Sequence, residues 1–258
     1  MVPPSLNWIA PPATLDLSDY DVHLWLIDLE ISELTLQTLE YTLSSDEKAR
    51  AKRFRFERDR RHFIACRAIL RNILGRYLSC SPSCVPFSYS QYGKPRIDID
   101  TSIQFNVSHS GGLAIYAIAH HAIGIDLEQY RQFEVEPVAK TAFSSQEYTA
   151  LVALEPSERP KAFFQLWTCK EAYLKATGEG LLGLEKMPDI LNQNTAKVEF
   201  DQATQQVTVI PNASSQWSIW SFSPKLNWIA ALAVALPDWH LSCYTASILE
   251  EYRTENDL

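Results

Sequence analysis

The 258-residue sequence predicts an α+β fold of two similar, pseudo-symmetric lobes, each a small antiparallel sheet packed with helices. The main observation is a domain-sized repeat, in which a strand, two helices and several short strands occur twice in the same order. The Ser-Ser pairs at 44–45 and 144–145 lie one hundred residues apart, and each precedes a predicted helix. We therefore expect an N-terminal lobe over 1–120, a C-terminal lobe over 121–258, and an active site in the cleft between them.

The first half contains one strand, two helices and a meander. HLWLIDLE (23–30) alternates and is rich in β-forming residues, which predicts a strand. LSSDEKARAKRF (43–54) predicts a helix capped by one of its two serines. RHFIACRAILRNILG (61–75) is amphipathic and predicts a helix that ends at Gly75. The runs PFSYSQ, IQFNVSHS and LAIYAIAH then resemble short strands.

The second half repeats this order. AIGIDLE (122–128) predicts a strand, and FSSQEYTALVAL (143–154) predicts a helix with the same Ser-Ser cap. AFFQLWTCKEAYLKATG (162–178) predicts a long helix that ends at Gly178. This helix and its counterpart each carry a cysteine nine positions before the closing glycine, which supports the repeat.

Charge and cysteine content narrow the classes of function. The net charge is −8, yet residues 48–61 hold eight of the 23 Lys and Arg, so this segment is either a local polyanion site or a solvated helix face. Five scattered cysteines favour reduced thiols over a zinc site or a disulfide framework. Neither a signal peptide nor a membrane span is recognised, so we expect a cytoplasmic protein that binds neither membrane nor nucleic acid.

The string IDLE occurs at 27–30 and again at 125–128. Residues i and i+2 of a strand face the same side, so Asp126 and Glu128 point together. Two adjacent carboxylates repel each other unless a cation lies between them. Hard oxygen ligands of this kind are typical of Mg²⁺ sites that act on phosphates.

A third carboxylate distinguishes the two copies. Glu171 lies on the same helical stripe as Trp167 and Leu174, so it is an acid on an apolar face that needs a partner. The corresponding position of the first half is Ala68, which favours the second IDLE as the metal site and the first as a structural repeat without a metal site. The alternative is a solvated i,i+4 pair between Glu171 and Lys175.

Two further segments are turn-like. FNVSHSGG (105–112) is interpreted as a tight connection whose hydroxyls, amides and His109 suit phosphate, although the string alone favours an ordinary hairpin turn with an exposed histidine. It is not a P-loop, because no Gly-Lys-Ser/Thr follows. YGKP (92–95) reads as a turn with Lys94 at its tip.

Taken together, these strings resemble the Sfp-type 4′-phosphopantetheinyl transferases. The order GKP (93–95), FNVSHS (105–110), GIDLE (124–128) and WTCKEAYLKATGEGL (167–181) matches that family, and the resemblance covers most of residues 22–236. The family's two-lobe fold also agrees with the repeat. The resemblance implies transfer of the phosphopantetheine arm of coenzyme A to a serine of an apo carrier protein, with release of 3′,5′-ADP, as in holo-[acyl-carrier-protein] synthases.

The resemblance also implies roles for individual residues. Mg²⁺ would be held against the pyrophosphate by Asp126, Glu128 and Glu171. The coenzyme A contacts implied are Arg50, Lys94, Asn106, Ser108, His109 and Lys175, with His109 at the 3′-phosphate, and Lys48 or Lys52 as alternatives to Arg50.

The proton acceptor for the carrier serine stays open at this point. Glu171 is the candidate by position, Lys175 is near enough to orient or stabilise, and a water relay is the alternative. The resemblance further implies an acyl or peptidyl carrier as protein substrate, and a monomer. Two other readings of the same acids are a Mg²⁺-dependent phosphohydrolase or nuclease and a non-catalytic nucleotide-binding module.

Overall fold

A computed structural model describes residues 6–91, 93–180, 196–201, 206–211 and 217–245. In this part of the chain the helices are α1 Glu33–Glu40, α2 Ser45–Ala51, α3 Glu57–Leu78, α4 Glu136–Ala142, α5 Ser145–Val152 and α6 Arg159–Thr177. The strands are β1 Trp8–Ile9, β2 Asp21–Asp28, β3 Phe87–Tyr89, β4 Pro95–Ile97, β5 Gln104–Ser110, β6 Leu113–Ala119, β7 Ile123–Gln129, β8 Ala196–Asp201, β9 Gln206–Pro211, β10 Ser218–Phe222, β11 Trp228–Val234 and β12 His240–Thr245. None of the described helices is both long and apolar enough to cross a bilayer.

The strand order confirms the pseudo-symmetric α+β fold. The first sheet has the order β1-β12-β2-β6-β5, and the second has the order β7-β11-β10-β9-β8. In the first sheet β6 lies between β2 and β5 and pairs antiparallel with both. In the second sheet β11 lies in the same way between β7 and β10.

The first sheet is mixed, which the sequence did not predict. Strand β12 pairs parallel with β2, and β1 pairs parallel with β12. Residues 240–245 therefore leave the second half of the chain and complete the sheet of the first half. The other strands of the first sheet end by residue 119, and the strands of the second sheet begin at residue 123.

The two sheets pack against each other, and the long helices cover their outer faces. Val22 and Leu24 of β2 share a buried cluster with Ile125 and Leu127 of β7. Trp25 faces the opposite way, into a cluster with α3. The layers are therefore helix, sheet, sheet and helix, so α6 lies on the outer face of β7.

The repeated serine pairs build equivalent helix starts. In α2 and α5 the first serine is the N-cap, and its backbone N–H donates to Glu47 (3.0 Å) or Glu147 (2.9 Å). Both glutamates are buried and bind a cation from the following long helix, Arg71 at 2.7 Å and Lys170 at 2.8 Å. The Ser-Ser-x-Glu spacing thus serves the capping box and a buried ion pair at once.

The ends of the two long helices differ from each other. Helix α6 ends at Thr177 with Gly178 at φ 78°, as predicted. Helix α3 runs past Gly75 and ends at a left-handed Ser79, so the predicted end at Gly75 is wrong. A Cβ at Gly75 would lie 2.7 Å from the carbonyl oxygen of Cys80, so this glycine provides room for the returning chain.

Candidate active site

The site lies where β5, the edge of the first sheet, runs alongside β7, the edge of the second. Alternate side chains of β5 accept hydrogen bonds from backbone N–H groups of β7. The pairs are Asn106 with Ile125 (2.9 Å), Ser108 with Leu127 (3.2 Å) and Ser110 with Gln129 (3.1 Å). A ladder of side chains therefore joins the two sheets and provides hydrogen-bond acceptors for the backbone N–H groups at the edge of β7.

This ladder corrects one sequence prediction. The interpretation of FNVSHSGG as a tight connection is wrong: FNVSHS belongs to strand β5, as the strand-like run IQFNVSHS predicted, and only the two glycines after it form the turn. The polar residues at every second position face β7, so their period of two is that of a strand. Gly111 and Gly112 have φ values of 53° and 85°, a region that favours glycine.

A glycine on β7 allows α6 to approach the sheet closely. A Cβ at Gly124 would lie 2.0 Å from the carbonyl oxygen of Ala172, so any larger residue would push the helix away. Asp126 follows on the same face of the strand. The close approach therefore brings the side chains of α6 over the carboxylate of Asp126.

Asp126 is almost completely buried and is held by both neighbouring elements. Its Oδ1 accepts hydrogen bonds from Lys175 Nζ of α6 (2.6 Å) and from Ser108 Oγ of β5 (2.9 Å). Its Oδ2 is buried and has no hydrogen-bond partner in the structure. A buried carboxylate oxygen without a partner is costly in a folded protein, and it suits a cation ligand.

Two further carboxylates share this environment. Burial raises the pKa of Glu128, and the charge of Asp126 raises it further. Burial and the same charge also raise the pKa of Glu171, with a smaller contribution from Glu128. Asp126, Glu128 and Glu171 therefore lie near enough to interact electrostatically, and the excess of negative charge favours a bound cation.

The chemistry of this donor set fits Mg²⁺, which prefers hard oxygen ligands. In the described part of the chain, no three His, Cys, Asp or Glu residues stand close enough together to hold a metal ion as placed. The ammonium group of Lys175 takes the position of a cation at Asp126. Binding of a metal by all three acids therefore requires a side-chain rearrangement.

Positive charge lies beside the acids. His109 of β5 is exposed, and partial desolvation together with the charges of His62 and Lys175 lowers its pKa. His62 of α3 in turn contacts Glu30 Oε1 at 3.1 Å. Lys175 thus supplies positive charge and His109 a ring N–H donor beside the acids, which suits an anionic ligand.

Lys94 and Arg50 occupy other positions. Lys94 Nζ reaches from the turn between β3 and β4 to the end of α6, where it donates to the carbonyl oxygens of Lys175 (2.5 Å) and Ala176 (3.4 Å). Burial and the charge of Arg96 lower the pKa of Lys94 to about 8. In this position Lys94 links the first half of the chain to the helix that carries Glu171 and Lys175.

Arg50 lies over the ring of Phe63 at 5.2 Å, and with Arg53 and Phe54 it lines a pocket of about 410 Å³. Cationic and aromatic groups in one pocket suit a nucleotide. The alternatives Lys48 and Lys52 are half-buried and exposed, respectively.

Hydrogen bonds join Asp126 to Ser108 and Lys175, with Asn106 bonded to the backbone beside them, and Glu128, Glu171 and His109 lie near enough to interact electrostatically with this group. Sequence reasoning missed two members of this neighbourhood, Ser110 and His62. Ser110 donates to Glu128 Oε2 at 3.0 Å. Its signal was available in the alternation of Asn106, Ser108 and Ser110.

The first IDLE copy has a different setting. The side chains of Asp28 and Glu30 are 60% and 66% exposed. Asp28 lies 3.8 Å from Lys225, and Glu30 lies near Arg58 and His62. The acids of this copy are thus solvated and paired with surface cations.

Comparisons with known proteins agree over nearly the whole chain. A family model described as the 4′-phosphopantetheinyl transferase superfamily matches residues 122–236, and one described as 4′-phosphopantetheinyl transferase, N-terminal, matches 31–121. The chain is 42% identical over 239 residues to the 4′-phosphopantetheinyl transferase HetI of Nostoc sp., covering 90% of this chain and 95% of the relative. It is 29% identical to the 4′-phosphopantetheinyl transferase Sfp of Bacillus subtilis, covering 76% and 84% of the two chains. A putative 4′-phosphopantetheinyl transferase of Synechocystis sp. is 39% identical, covering 61% and 65%.

Proposed function

Because the chain belongs to the 4′-phosphopantetheinyl transferase superfamily, we propose that it transfers the phosphopantetheine arm of coenzyme A to a serine of an apo carrier protein. The reaction would release 3′,5′-ADP, as in holo-[acyl-carrier-protein] synthases. The observation that carries this proposal is the buried carboxylate of Asp126, whose Oδ2 has no hydrogen-bond partner and whose Oδ1 accepts from Lys175.

The acids are the proposed metal ligands. Asp126 would contribute its free Oδ2, while Ser108 continues to hold Oδ1. Glu128, which Ser110 holds through Oε2, would contribute a carboxylate oxygen in its present orientation, and Glu171 would complete the set after a change of side-chain orientation. When bound, Mg²⁺ neutralises charge on phosphate oxygens and on the leaving nucleotide.

The basic side chains are the proposed phosphate contacts. Lys175 would exchange its bond to Asp126 for a pyrophosphate oxygen, since both are anionic oxygens within reach of its flexible stem. His109 would donate to the 3′-phosphate, whose negative charge raises the pKa of the ring toward the protonated form. Arg50 would add a cationic contact to the nucleotide from its pocket.

The carrier serine must lose its hydroxyl proton as its oxygen attacks the β-phosphorus. Glu171 is the proposed acceptor, directly or through a water molecule. Because Mg²⁺ lowers the basicity of a carboxylate that it binds, the relay through a water molecule is favoured. The proton acceptor and the adjacent Lys175 lie on one helix, one turn apart, so their relative positions are fixed.

The proposal includes an acyl or peptidyl carrier as protein partner, action as a monomer, and a cytoplasmic location. The test is incubation of the protein with coenzyme A, Mg²⁺ and an apo carrier protein, followed by intact-mass measurement of the carrier. A gain of one phosphopantetheine supports the transfer. Consumption of coenzyme A without a mass gain indicates a phosphohydrolase, and binding without turnover indicates a nucleotide-binding module.

A further inference from the structure

Two serines of β5 repeat one hydrogen-bonding arrangement along the edge of β7. The hydroxyl of Ser108 accepts from a β7 backbone N–H at 3.2 Å and donates to Asp126 at 2.9 Å. The hydroxyl of Ser110 accepts from the N–H two residues further on at 3.1 Å and donates to Glu128 at 3.0 Å. Each serine thus links a carboxylate to the N–H of the residue that follows it.

The bonds of Ser110 fix the direction of its proton. Its oxygen already accepts the N–H of Gln129, so its own hydrogen is available to a single acceptor, the carboxylate of Glu128. Asp126 has a second donor in Lys175, whereas Ser110 is the donor that the described part of the chain gives to Glu128. The orientation of Glu128 therefore depends on Ser110 more than that of Asp126 depends on Ser108.

The backbone of Ser110 is itself anchored. Trp228 Nε1 of β11 donates to the carbonyl oxygen of Ser110 at 3.1 Å, and Trp228 lies opposite Gln129 in the β7–β11 pair. The serine is thus tied to the second sheet at its side chain and at its carbonyl group. Such double anchoring limits the positions available to the hydroxyl.

We propose that Ser110 is a positioning residue that holds Glu128 in the orientation required for metal binding, with Trp228 fixing Ser110 in place. This inference rests on the proposed function, in which Glu128 is a metal ligand. Groups that hydrogen-bond to metal ligands orient them, and their loss commonly weakens metal binding by about 10- to 100-fold. Ser110 acts on Glu128 and not on the substrates.

The experiment measures Mn²⁺ binding to the full chain by electron paramagnetic resonance, without coenzyme A or carrier. Ser110→Ala should raise the dissociation constant about 10- to 100-fold. Ser110→Thr, which retains the hydroxyl, should bind nearly as the wild type does. The matched control is Ser102→Ala, because Ser102 bonds His120 at the other end of the same β5–β6 hairpin and lies outside the site.

Glu128→Ala separates a failure of this inference from a failure of the proposed function. If Glu128→Ala binds Mn²⁺ as the wild type does, the metal assignment is wrong and the role of Ser110 is wrong with it. If Glu128→Ala weakens binding but Ser110→Ala behaves like Ser102→Ala, only the positioning role is overturned. In the double variant, Ser110→Ala should add nothing to Glu128→Ala, and a full additional loss would also overturn it.

Trp228→Phe keeps the test decisive if Ser110→Ala does not fold, which far-UV circular dichroism would show. This variant keeps an aromatic ring and removes the N–H that holds the Ser110 carbonyl oxygen. A smaller loss of Mn²⁺ affinity that disappears in the Glu128→Ala background supports the proposal. An affinity equal to that of the wild type contradicts the anchoring role of Trp228.

Discussion

Asp126→Asn and Asp28→Asn are a matched pair of variants that test which IDLE copy is the functional one. Each removes one negative charge and keeps the size of the side chain. We expect Asp126→Asn to abolish transfer at physiological Mg²⁺, because the buried Oδ2 loses its charge and an amide is a poor Mg²⁺ ligand. Asp28→Asn should transfer as the wild type does.

The stability effects follow from the burial and charge of each site. Breaking a buried ion pair costs about 3–5 kcal/mol. The side chain of Lys175 is 30% exposed, so its ammonium group can be hydrated once Asp126 loses its charge, which reduces this cost. Relief of the repulsion among Asp126, Glu128 and Glu171 offsets part of the remainder. We therefore expect Asp126→Asn to change the free energy of unfolding by less than about 2 kcal/mol. Asp28 is 60% exposed and 3.8 Å from Lys225, a pair worth about 0–1 kcal/mol.

The assay combines intact-mass measurement of the carrier with thermal unfolding of each variant. For a protein of this size, 1 kcal/mol corresponds to a Tm shift of about 2–4 °C, so both variants should remain folded at the assay temperature. The reasoning is refuted if Asp28→Asn abolishes transfer with an unchanged Tm while Asp126→Asn retains it. Equal activity of both variants would remove Asp126 from the metal site.

Three further predictions concern histidines and a buried ion pair. His109→Ala should weaken the binding of coenzyme A by about 1.5–3 kcal/mol and the binding of dephospho-coenzyme A much less, as measured by calorimetry. Equal losses for the two ligands would contradict a contact between His109 and the 3′-phosphate. Burial lowers the pKa of His23 to about 4, so the free energy of unfolding should fall by at most about 3 kcal/mol as pH drops from about 6.5 to 4. Urea unfolding of His23→Phe should show a smaller decrease over the same pH range. Lys170→Met removes the ammonium group from buried Glu147 and should cost about 3–5 kcal/mol, most of which the added change Glu147→Gln should restore; a wild-type Tm for Lys170→Met would contradict the buried pair.

Local signals in the sequence predicted helices α2, α3, α5 and α6 and several strands, whereas α1 and α4 were not predicted. The serine pairs at 44–45 and 144–145 and the glycine at 178 mark helix ends through bonds to nearby backbone, so a short window contains the needed information. The predicted helix end at Gly75 was wrong because this glycine makes room for the carbonyl oxygen of Cys80, whereas Ser79 adopts the left-handed conformation that ends the helix.

The pairing of β12 with β2 could not be predicted from local sequence patterns. Residues 240–245 pair with 21–26, more than two hundred positions away, and a strand pattern does not state which sheet edge it joins. The same limit applies to the ladder between β5 and β7. The alternation of polar residues in β5 was visible, but the edge that they satisfy lies in the other half of the chain.

The choice between the IDLE copies rested on Ala68 standing where the second half has Glu171, and the structure supplies a more basic reason. In the first copy, Ile27 and Leu29 face α3 and pack in one cluster with Ala68, so Asp28 points away from the long helix. In the second copy the apolar partners of Asp126 face the opposite sheet, and Asp126 faces α6. The two strings have opposite phases relative to their helices. A glutamate at position 68 would therefore enter the apolar cluster that contains Ile27 and Leu29, on the side of the strand opposite to Asp28, so the first copy cannot become a three-carboxylate site by that single change.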